Sequence, residues 1–378
     1  MLNNKVLEFV EANKELQLGL LKRIVLIPSP SHFEGKRAEF CVNYLKGIGA
    51  ENAYIDEAKN VIIPMCCENS NELTVIEGHI DTVFPMDTPL NYVDDGKNIY
   101  CPGISDDVIS VTDIILTVKF FIEKDIKPKN GILFVLNSCE EGLGNLKGTK
   151  TLLKNYEGRI KRFISFDSDI PIIIDDCVGS HRYKVTAKTE GGHSYSSFGN
   201  ENAISKLSQI ISDIYAIEVP NISNSKTTYN VGTISGGTSV NSIAQSAEML
   251  CEYRSNNYEC LQIMKEEFER IFNKHNTKKC KLVVELIGER PCSNNVDRIE
   301  INKLKKIYSK IILELSGITT RTESASTDCN VPLSMGIPAI AVGVSDGFNV
   351  HTTEEYLCKE TIITGLNAAI RFALELSK

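Results

Sequence analysis

The sequence predicts an α/β fold: a central, mostly parallel β-sheet flanked by helices, with an inserted α+β domain of four antiparallel strands and two helices. Three observations predict it. Short apolar segments alternate with helical patterns in the first part of the chain, strands of alternating polar and apolar residues fill the middle, and the first pattern returns near the C-terminus. With 378 residues, the chain is long enough for two domains.

The changes of pattern define the expected domain boundaries. We expect residues 1–176 and 290–378 to form the larger domain and residues 177–289 to form the inserted one. Two helical patterns occupy the first fifty residues, and the second follows the turn PSPS, where Ser31 is a candidate N-cap. In the rest of the larger domain, strands are expected at 61–63, 74–76, 132–136 and 163–164 and in PAIAVGV, with helices at 108–124, at 298–315 and from Thr353.

The inserted domain has a different pattern. Polar and apolar residues alternate in four segments, which are RYKVTAKTEGGHS, TYNVGTISGG, AEMLCEYRS and residues 281–287. Each segment is therefore expected to be a half-exposed strand. Helices are expected at 202–217 and 259–275. Antiparallel strands with one face covered by helices form an α+β layer.

Composition excludes several classes of protein. The formal net charge is -8 and no basic block stands out, which argues against nucleic acid or an anionic membrane as a partner. The N-terminal segment lacks a secretory apolar core and 18 consecutive apolar residues occur nowhere, so we expect a soluble, cytoplasmic protein. The 12 cysteines are scattered without CxxC spacing, and most are expected to be reduced, buried or indifferent thiols. A nucleotide-binding loop is not expected, because neither GxGxxG nor GxxxxGK[ST] occurs.

Three apolar segments end in side chains that bind metals. TVIEGHIDTV carries His79 and Asp81, ILFVLNSCEE carries Glu140 and Glu141, and RFISFDSD carries Asp167. Because ligands of open α/β sheets gather at the carboxyl ends of the strands, we expect these groups to meet in one crevice. Carboxylates packed so closely repel each other unless cations neutralise them. The pattern therefore predicts a metallohydrolase.

Each motif also has a structural explanation when it stands alone. His79 could cap a helix, and adjacent glutamates are common on solvated surfaces. The segment YCPGISDDVISV places Asp106 and Asp107 at the start of a helix, where acids often cap amide groups. His351 lies in the loop DGFNVHTTEEYL before a helical pattern, and loop histidines are common.

Taken together, the motifs resemble a known family. The order GHIDTV, DD, SCEEG, FDSD and VHTTEEYL is similar to the M20 family of dinuclear zinc peptidases and deacylases, from about residue 75 to residue 360. The segments GGHSYSSFG with His193, NVGTISGGTSVNSIAQ with Asn241 and EYR with Arg254 resemble motifs of the family's inserted lid domain.

The resemblance implies a role for each matching residue. Two Zn²⁺ ions per subunit are implied, for which Co²⁺ or Mn²⁺ could substitute. The implied assignments are His79 and Asp167 on one ion, Glu141 and His351 on the other, Asp106 bridging both, Asp81 orienting His79, and Glu140 as the general base.

In the lid domain, the resemblance implies that His193 stabilises the oxyanion, often in the partner subunit's active site, so a homodimer formed through this domain is expected. Arg254 is implied to bind a substrate carboxylate, with a cross-strand ion pair as the alternative. Asn241 is implied to donate a hydrogen bond to the substrate, and a purely turn-forming role is the alternative.

The sequence departs from the family before and after the acidic pair. CPGISDDVIS lacks the Arg of the usual Gly-Arg-Gly-like run and the Lys that usually follows. At position 167 the residue is Asp, which in the resemblance is more typical of aminopeptidases and dipeptidases than of deacylases. We therefore expect a peptidase of short peptides in the peptidase T or dipeptidase-like branch. The alternatives are an N-acyl-amino-acid amidohydrolase and a non-catalytic relative that binds metal or peptide.

Overall fold

The computed structural model describes residues 2–223 and 225–378. The chain divides into two compact units, and the first combines Met1–Cys177 with Asn295–Lys378. The second unit is Val178–Asn294. The units have separate hydrophobic cores.

The helices and strands have the following bounds. The α-helices are α1 (Leu2–Ala12), α2 (Lys14–Val25), α3 (Gly35–Gly47), α4 (Ile109–Glu123), α5 (Lys147–Asn155), α6 (Ala203–Tyr215), α7 (Tyr258–His275), α8 (Arg298–Ser316), α9 (Asn330–Ser334) and α10 (Lys359–Leu376). The strands are β1 (Tyr54–Ile55), β2 (Val61–Met65), β3 (Leu73–His79), β4 (Val93–Asp94), β5 (Asn98–Tyr100), β6 (Ile132–Asn137), β7 (Ile160–Ser165), β8 (Ile172–Cys177), β9 (Gly179–Lys188), β10 (Gly192–His193), β11 (Thr227–Gly236), β12 (Ser242–Ile243), β13 (Ser246–Ser255), β14 (Lys281–Arg290), β15 (Arg321–Ala325), β16 (Ala339–Val342), β17 (Gly347–Phe348) and β18 (Tyr356–Cys358).

The first unit is built on an eight-stranded sheet with the order β1-β2-β6-β3-β7-β16-β8-β15. The four central strands are parallel to one another, in the order β6, β3, β7 and β16. At the end of the sheet, β15 is parallel to β8. Every residue of β3 and β6 is buried, which explains why apolar residues predominate in β6 and in the first half of β3. Helix α4 is buried along most of its length and contacts β3, β6 and α10. A small antiparallel sheet, β17-β18-β5-β4, completes the unit.

The second unit contains an antiparallel sheet of four strands in the order β11-β13-β9-β14. Buried and more exposed residues alternate along β9 and β13. The buried face packs against α6 and α7, which contact each other as well. The predicted α/β class with an inserted α+β layer is therefore confirmed.

Two local expectations are wrong. Ser31 does not cap a helix, since α3 begins at Gly35 and the Ser31 hydroxyl donates a hydrogen bond to Asp81 instead. The C-terminal helix begins at Lys359 rather than Thr353, because Tyr356–Cys358 pairs with β5 as a short strand. In both cases a contact distant in sequence replaces the local pattern.

Two expectations from composition concern the whole chain. All 12 cysteines are free thiols, and most are buried. Within residues 2–223 and 225–378, each helix is too short or too polar to cross a lipid bilayer.

Candidate metal centre

Three adjacent parallel strands end at the same edge of the large sheet. His79 is the last residue of β3 and lies opposite Asn137, the last residue of β6. Glu140 and Glu141 follow the end of β6, and Asp167 follows the end of β7. The sheet thus brings donor atoms of distant segments together, as expected at the carboxyl ends of parallel strands.

Asp106 contacts both histidines of the site. Its Oδ1 lies 2.8 Å from Nε2 of His79, and its Oδ2 lies 3.0 Å from Nε2 of His351. The same His351 nitrogen lies 2.9 Å from Oε1 of Glu141. Each oxygen of one carboxylate therefore faces a different imidazole. This is the arrangement expected of a carboxylate that bridges two ions.

Two groups of donor atoms are compact enough to hold a metal ion. One consists of His79, Glu140 and Asp167, and the other of His79, Asp106 and Glu141, with the donor atoms of each group within 4.8 Å of one another. Imidazole nitrogens and carboxylate oxygens suit Zn²⁺, Co²⁺ and Mn²⁺. The chemistry of the donor set fits a centre for divalent cations.

The acids of the site affect each other's ionisation. Burial raises the pKa of Glu141 to about 7. The negative charges of Asp106 and Glu140 raise it further, whereas the hydrogen bond with His351 lowers it. Burial also raises the pKa of Asp167 well above its usual value, with Glu140 and Asp106 contributing in the same direction. Divalent cations would remove this mutual repulsion, because they favour the ionised carboxylates.

The pKa values of both histidines are raised as well, because the neighbouring carboxylates stabilise the protonated imidazole. Hydrogen bonds with Asp106 and Glu141 raise the pKa of His351 to about 10. Burial alone would raise the pKa of Asp106, but its hydrogen bonds with His351 and His79 outweigh burial and hold the pKa below its usual range. These hydrogen bonds therefore favour the ionised form of Asp106.

Asp81 organises the surroundings of His79 and of the two glutamates. Its backbone oxygen lies 3.0 Å from Nδ1 of His79, and its Oδ1 lies 3.6 Å from the same nitrogen. The carboxylate accepts hydrogen bonds from the backbone N–H groups of Glu140 and Glu141, both at 3.0 Å. Its Oδ2 also accepts from the Ser31 hydroxyl at 2.6 Å. Asp81 thus joins the ends of β3 and β6.

Asp107 supports the strand that carries His79. Its Oδ2 accepts a hydrogen bond from the backbone N–H of His79 at 3.0 Å. The side chain is buried, and the peptide bond between Asp106 and Asp107 is cis. The sequence motifs predict no role at the site for Asp107 or Ser31. The acidic pair itself was the only signal for Asp107, and the pattern around Ser31 indicated a helix cap instead.

The remaining predicted residues belong to the second unit. His193 in β10 pairs with Ser242 of β12, and the next residue, Ser194, donates a backbone hydrogen bond to the carbonyl of Asn241 at 2.9 Å. The structure therefore brings the His193 and Asn241 loops together. Arg254 lies on β13 and forms an ion pair with Glu252, with nitrogen–oxygen distances of 2.7 and 3.1 Å.

Comparisons with known proteins identify the family of this chain. The model of "Peptidase family M20/M25/M40" matches residues 75–375. A succinyl-diaminopimelate desuccinylase of Corynebacterium glutamicum is 24% identical over 379 residues, which cover 95% of this chain and 98% of that protein.

Solved structures show the same fold. A tripeptidase of Staphylococcus aureus superposes with a TM-score of 0.77 at 19% identity, over 97% of this chain and 99% of that one. Human carnosine dipeptidase 1 gives a TM-score of 0.74 at 15% identity, over 100% of this chain and 99% of that one. The family predicted from the motifs is therefore confirmed by a match over most of the chain. The chain belongs to peptidase family M20/M25/M40 and is a hydrolase that acts on amide or peptide bonds.

Proposed function

We propose that the protein is a dinuclear zinc peptidase that hydrolyses an amide bond in short peptides. The observation that carries the proposal is the contact of one Asp106 carboxylate with both His79 and His351, at 2.8 and 3.0 Å. In the proposed assignment, His79 and Asp167 would hold one ion, and Glu141 and His351 would hold the other. Asp106 would be shared by both ions. Co²⁺ or Mn²⁺ suits the same donor atoms.

Glu140 is the proposed general base. When bound, the two metal ions would polarise the amide carbonyl and lower the pKa of bound water to about 7. Glu140 then takes a proton from the attacking water and delivers it to the leaving nitrogen. Its carboxylate lies in the same group of donor atoms as His79 and Asp167. Its backbone N–H is fixed by Asp81, which limits the movement of the segment.

Residues of the second unit complete the proposed mechanism. His193 donates a hydrogen bond to the oxyanion, Arg254 binds a substrate carboxylate, and Asn241 orients the peptide. Glu252 already binds Arg254 through two oxygens, so this guanidinium is held in one orientation. The protein is proposed to act in the cytoplasm as a homodimer formed through the second unit, with His193 reaching the partner's site. Neither nucleic acid nor membrane is a proposed partner.

A second candidate function is the hydrolysis of N-acyl amino acids. The relative from Corynebacterium glutamicum, named as a succinyl-diaminopimelate desuccinylase, favours this candidate. Both reactions attack an amide carbonyl with activated water, so they require the same ligands and the same base. The side chain at position 167, an Asp, favours the peptidase.

Turnover of four substrates tests the proposal. We expect the zinc-loaded protein to hydrolyse a dipeptide or a tripeptide with a higher kcat/KM than an N-acetyl or N-succinyl amino acid. Replacement of the base, Glu140→Gln, should lower kcat on the order of 10²- to 10⁴-fold. Glu157→Gln, the same change at an exposed position, is the matched control. A higher kcat/KM on the acylated amino acids would select the deacylase, and a Glu140→Gln variant as fast as the wild type would refute the mechanism.

A further inference from the structure

Glu355 is a buried carboxylate that binds the turn carrying Asp106. Its Oε2 accepts a hydrogen bond from the backbone N–H of Gly103 at 2.7 Å. Its Oε1 accepts from the backbone N–H and the hydroxyl of Ser105, both at 2.9 Å, and from the backbone N–H of Asp106 at 3.1 Å. Four donors of one turn therefore converge on a single side chain.

The position of Glu355 connects this turn to the segment of His351. Glu355 immediately precedes β18, which pairs with β5, and its backbone oxygen accepts a hydrogen bond from Cys101. The neighbouring strand β17 packs against the same turn, since a β-carbon added at Gly347 would lie 2.2 Å from Cβ of Ser105. The turn of Asp106 is thus in contact with the polypeptide on both sides of His351.

The contacts are strong enough to fix the turn. A carboxylate loses much hydration free energy when it is buried, so it is stable inside a protein only where donors replace the water. Hydrogen bonds to an ionised acceptor are about twice as strong as neutral ones. The turn itself has little regular structure to hold it, because Gly103 has a φ of +76° and Asp106 has non-helical backbone angles.

We propose that Glu355 is a positioning residue that sets the Asp106 carboxylate between His79 and His351. The inference rests on the proposed function, in which Asp106 is shared by the two ions. The donors of this turn find their acceptor in a residue 249 to 252 positions later in the sequence. Groups that orient metal ligands without touching the metal influence affinity and rate through the ligand they hold.

The variant Glu355→Gln tests the inference. Gln has nearly the same volume but replaces one acceptor oxygen by an NH₂ group, which would face an N–H donor. Zinc affinity, measured by competition with a chelating dye, should fall on the order of 10- to 100-fold. With a dipeptide substrate, kcat should fall in the same range while KM changes by less than about threefold. The matched control is Glu354→Gln, because Glu354 is the exposed neighbour and does not bind the turn.

A second variant separates positioning from folding. Ser105→Ala removes one of the four hydrogen bonds and leaves the carboxylate in place, so a smaller loss of zinc affinity in the same direction is expected. If Glu355→Gln fails to fold, Ser105→Ala carries the test, and wild-type zinc affinity in that variant overturns the inference. A purely structural role for Glu355 predicts a lower Tm of the metal-free protein with unchanged zinc affinity, which also overturns it.

Asp106→Asn distinguishes failure of this inference from failure of the proposed function. If Asp106→Asn abolishes turnover and weakens zinc binding while Glu355→Gln behaves as the wild type, only the role of Glu355 is refuted. If Asp106→Asn retains wild-type zinc binding and turnover, the proposed function is refuted, and the inference about Glu355 with it.

Discussion

Oδ2 of Asp107 lies so close to the backbone of Gly78 that a β-carbon at this position would stand 2.7 Å from it. The same oxygen accepts the hydrogen bond from the backbone N–H of His79. The absence of a side chain at Gly78 therefore allows the Asp107 carboxylate to reach the strand just before the first histidine of the site.

Gly78→Ala should disturb this contact. The added methyl group would also lie 3.1 Å from Cβ of Ser110, so Asp107 or the strand must move. We expect the free energy of unfolding to fall by about 1–3 kcal/mol, as for other overpacked interiors, and zinc affinity to fall with it. Denaturant unfolding and dye competition measure the two effects. Gly19→Ala is the control, because nothing lies within 4 Å of its β-carbon and the helix should tolerate or favour Ala.

Asp81→Asn should weaken the site without removing a proposed ligand. Asp81 accepts hydrogen bonds from the N–H groups of Glu140 and Glu141 through different oxygens, and an amide supplies only one acceptor. We expect kcat/KM on a peptide substrate to fall on the order of 10- to 100-fold. Asp87→Asn makes the same change at an exposed position and should leave the rate unaltered. Equal rates in the two variants would contradict a role for Asp81.

Divalent ions should stabilise the protein against unfolding. The carboxylates of the site repel one another when they lack a cation, and an ion that binds only the folded state adds stability in proportion to the logarithm of its concentration. At 100 times the Kd of a single site the gain is about 2.7 kcal/mol. Thermal unfolding after chelation, with Zn²⁺, Co²⁺ or Mn²⁺ added back, measures it. Asp106→Asn should reduce the rise in Tm, and an identical rise in that variant would argue against its part in metal binding.

Asp328 should make the stability of the metal-free protein depend on pH. Burial, together with the charge of Glu140, raises the pKa of this carboxyl from 3.8 to about 7. Between these values the folded protein holds a proton that the unfolded chain has lost, so the free energy of unfolding falls as the pH rises through this range. Denaturant unfolding from pH 4 to pH 8 should show a smaller fall for Asp328→Asn than for the wild type. Parallel curves for the two proteins would refute this assignment.

The main sheet could be predicted from the sequence because its central strands are buried on both faces. Burial leaves β3 and β6 as short apolar runs with polar residues directly after them, which is a local signal. The strands of the second unit could also be predicted, because a sheet with one solvated face gives β9 and β13 an alternating pattern of polar and apolar residues. The fold class followed from these signals alone.

Contacts between distant segments could not be predicted in this way. Ser31 follows a proline-containing turn and resembles a helix cap, but its hydroxyl bonds to Asp81, 50 residues away. Thr353 resembles the start of a helix, but Tyr356–Cys358 pairs with β5 as a strand, so the helix begins only after this strand. Local propensity is a weak guide where tertiary hydrogen bonds compete with it.

The residues of the site also fall into those that the sequence predicts and those that it does not. Side chains with metal-binding atoms stand in short motifs, so candidates such as His79 and Glu141 could be named from the sequence. Glu355 stands beside Glu354 in the segment VHTTEEYL, and nothing local distinguishes the two, because the importance of Glu355 lies in the four donors that surround it. Those donors belong mostly to the backbone, whose orientation the sequence does not specify.

His351 follows the whole of the second unit in the chain, although it contacts Asp106 and Glu141, which precede that unit. During synthesis on the ribosome, the earlier acids emerge first and remain without this histidine until the inserted segment has been translated. Domains generally fold as units as they emerge. A nascent chain can therefore complete the second unit before the proposed metal centre of the first, which makes assembly of that centre one of the last events in maturation.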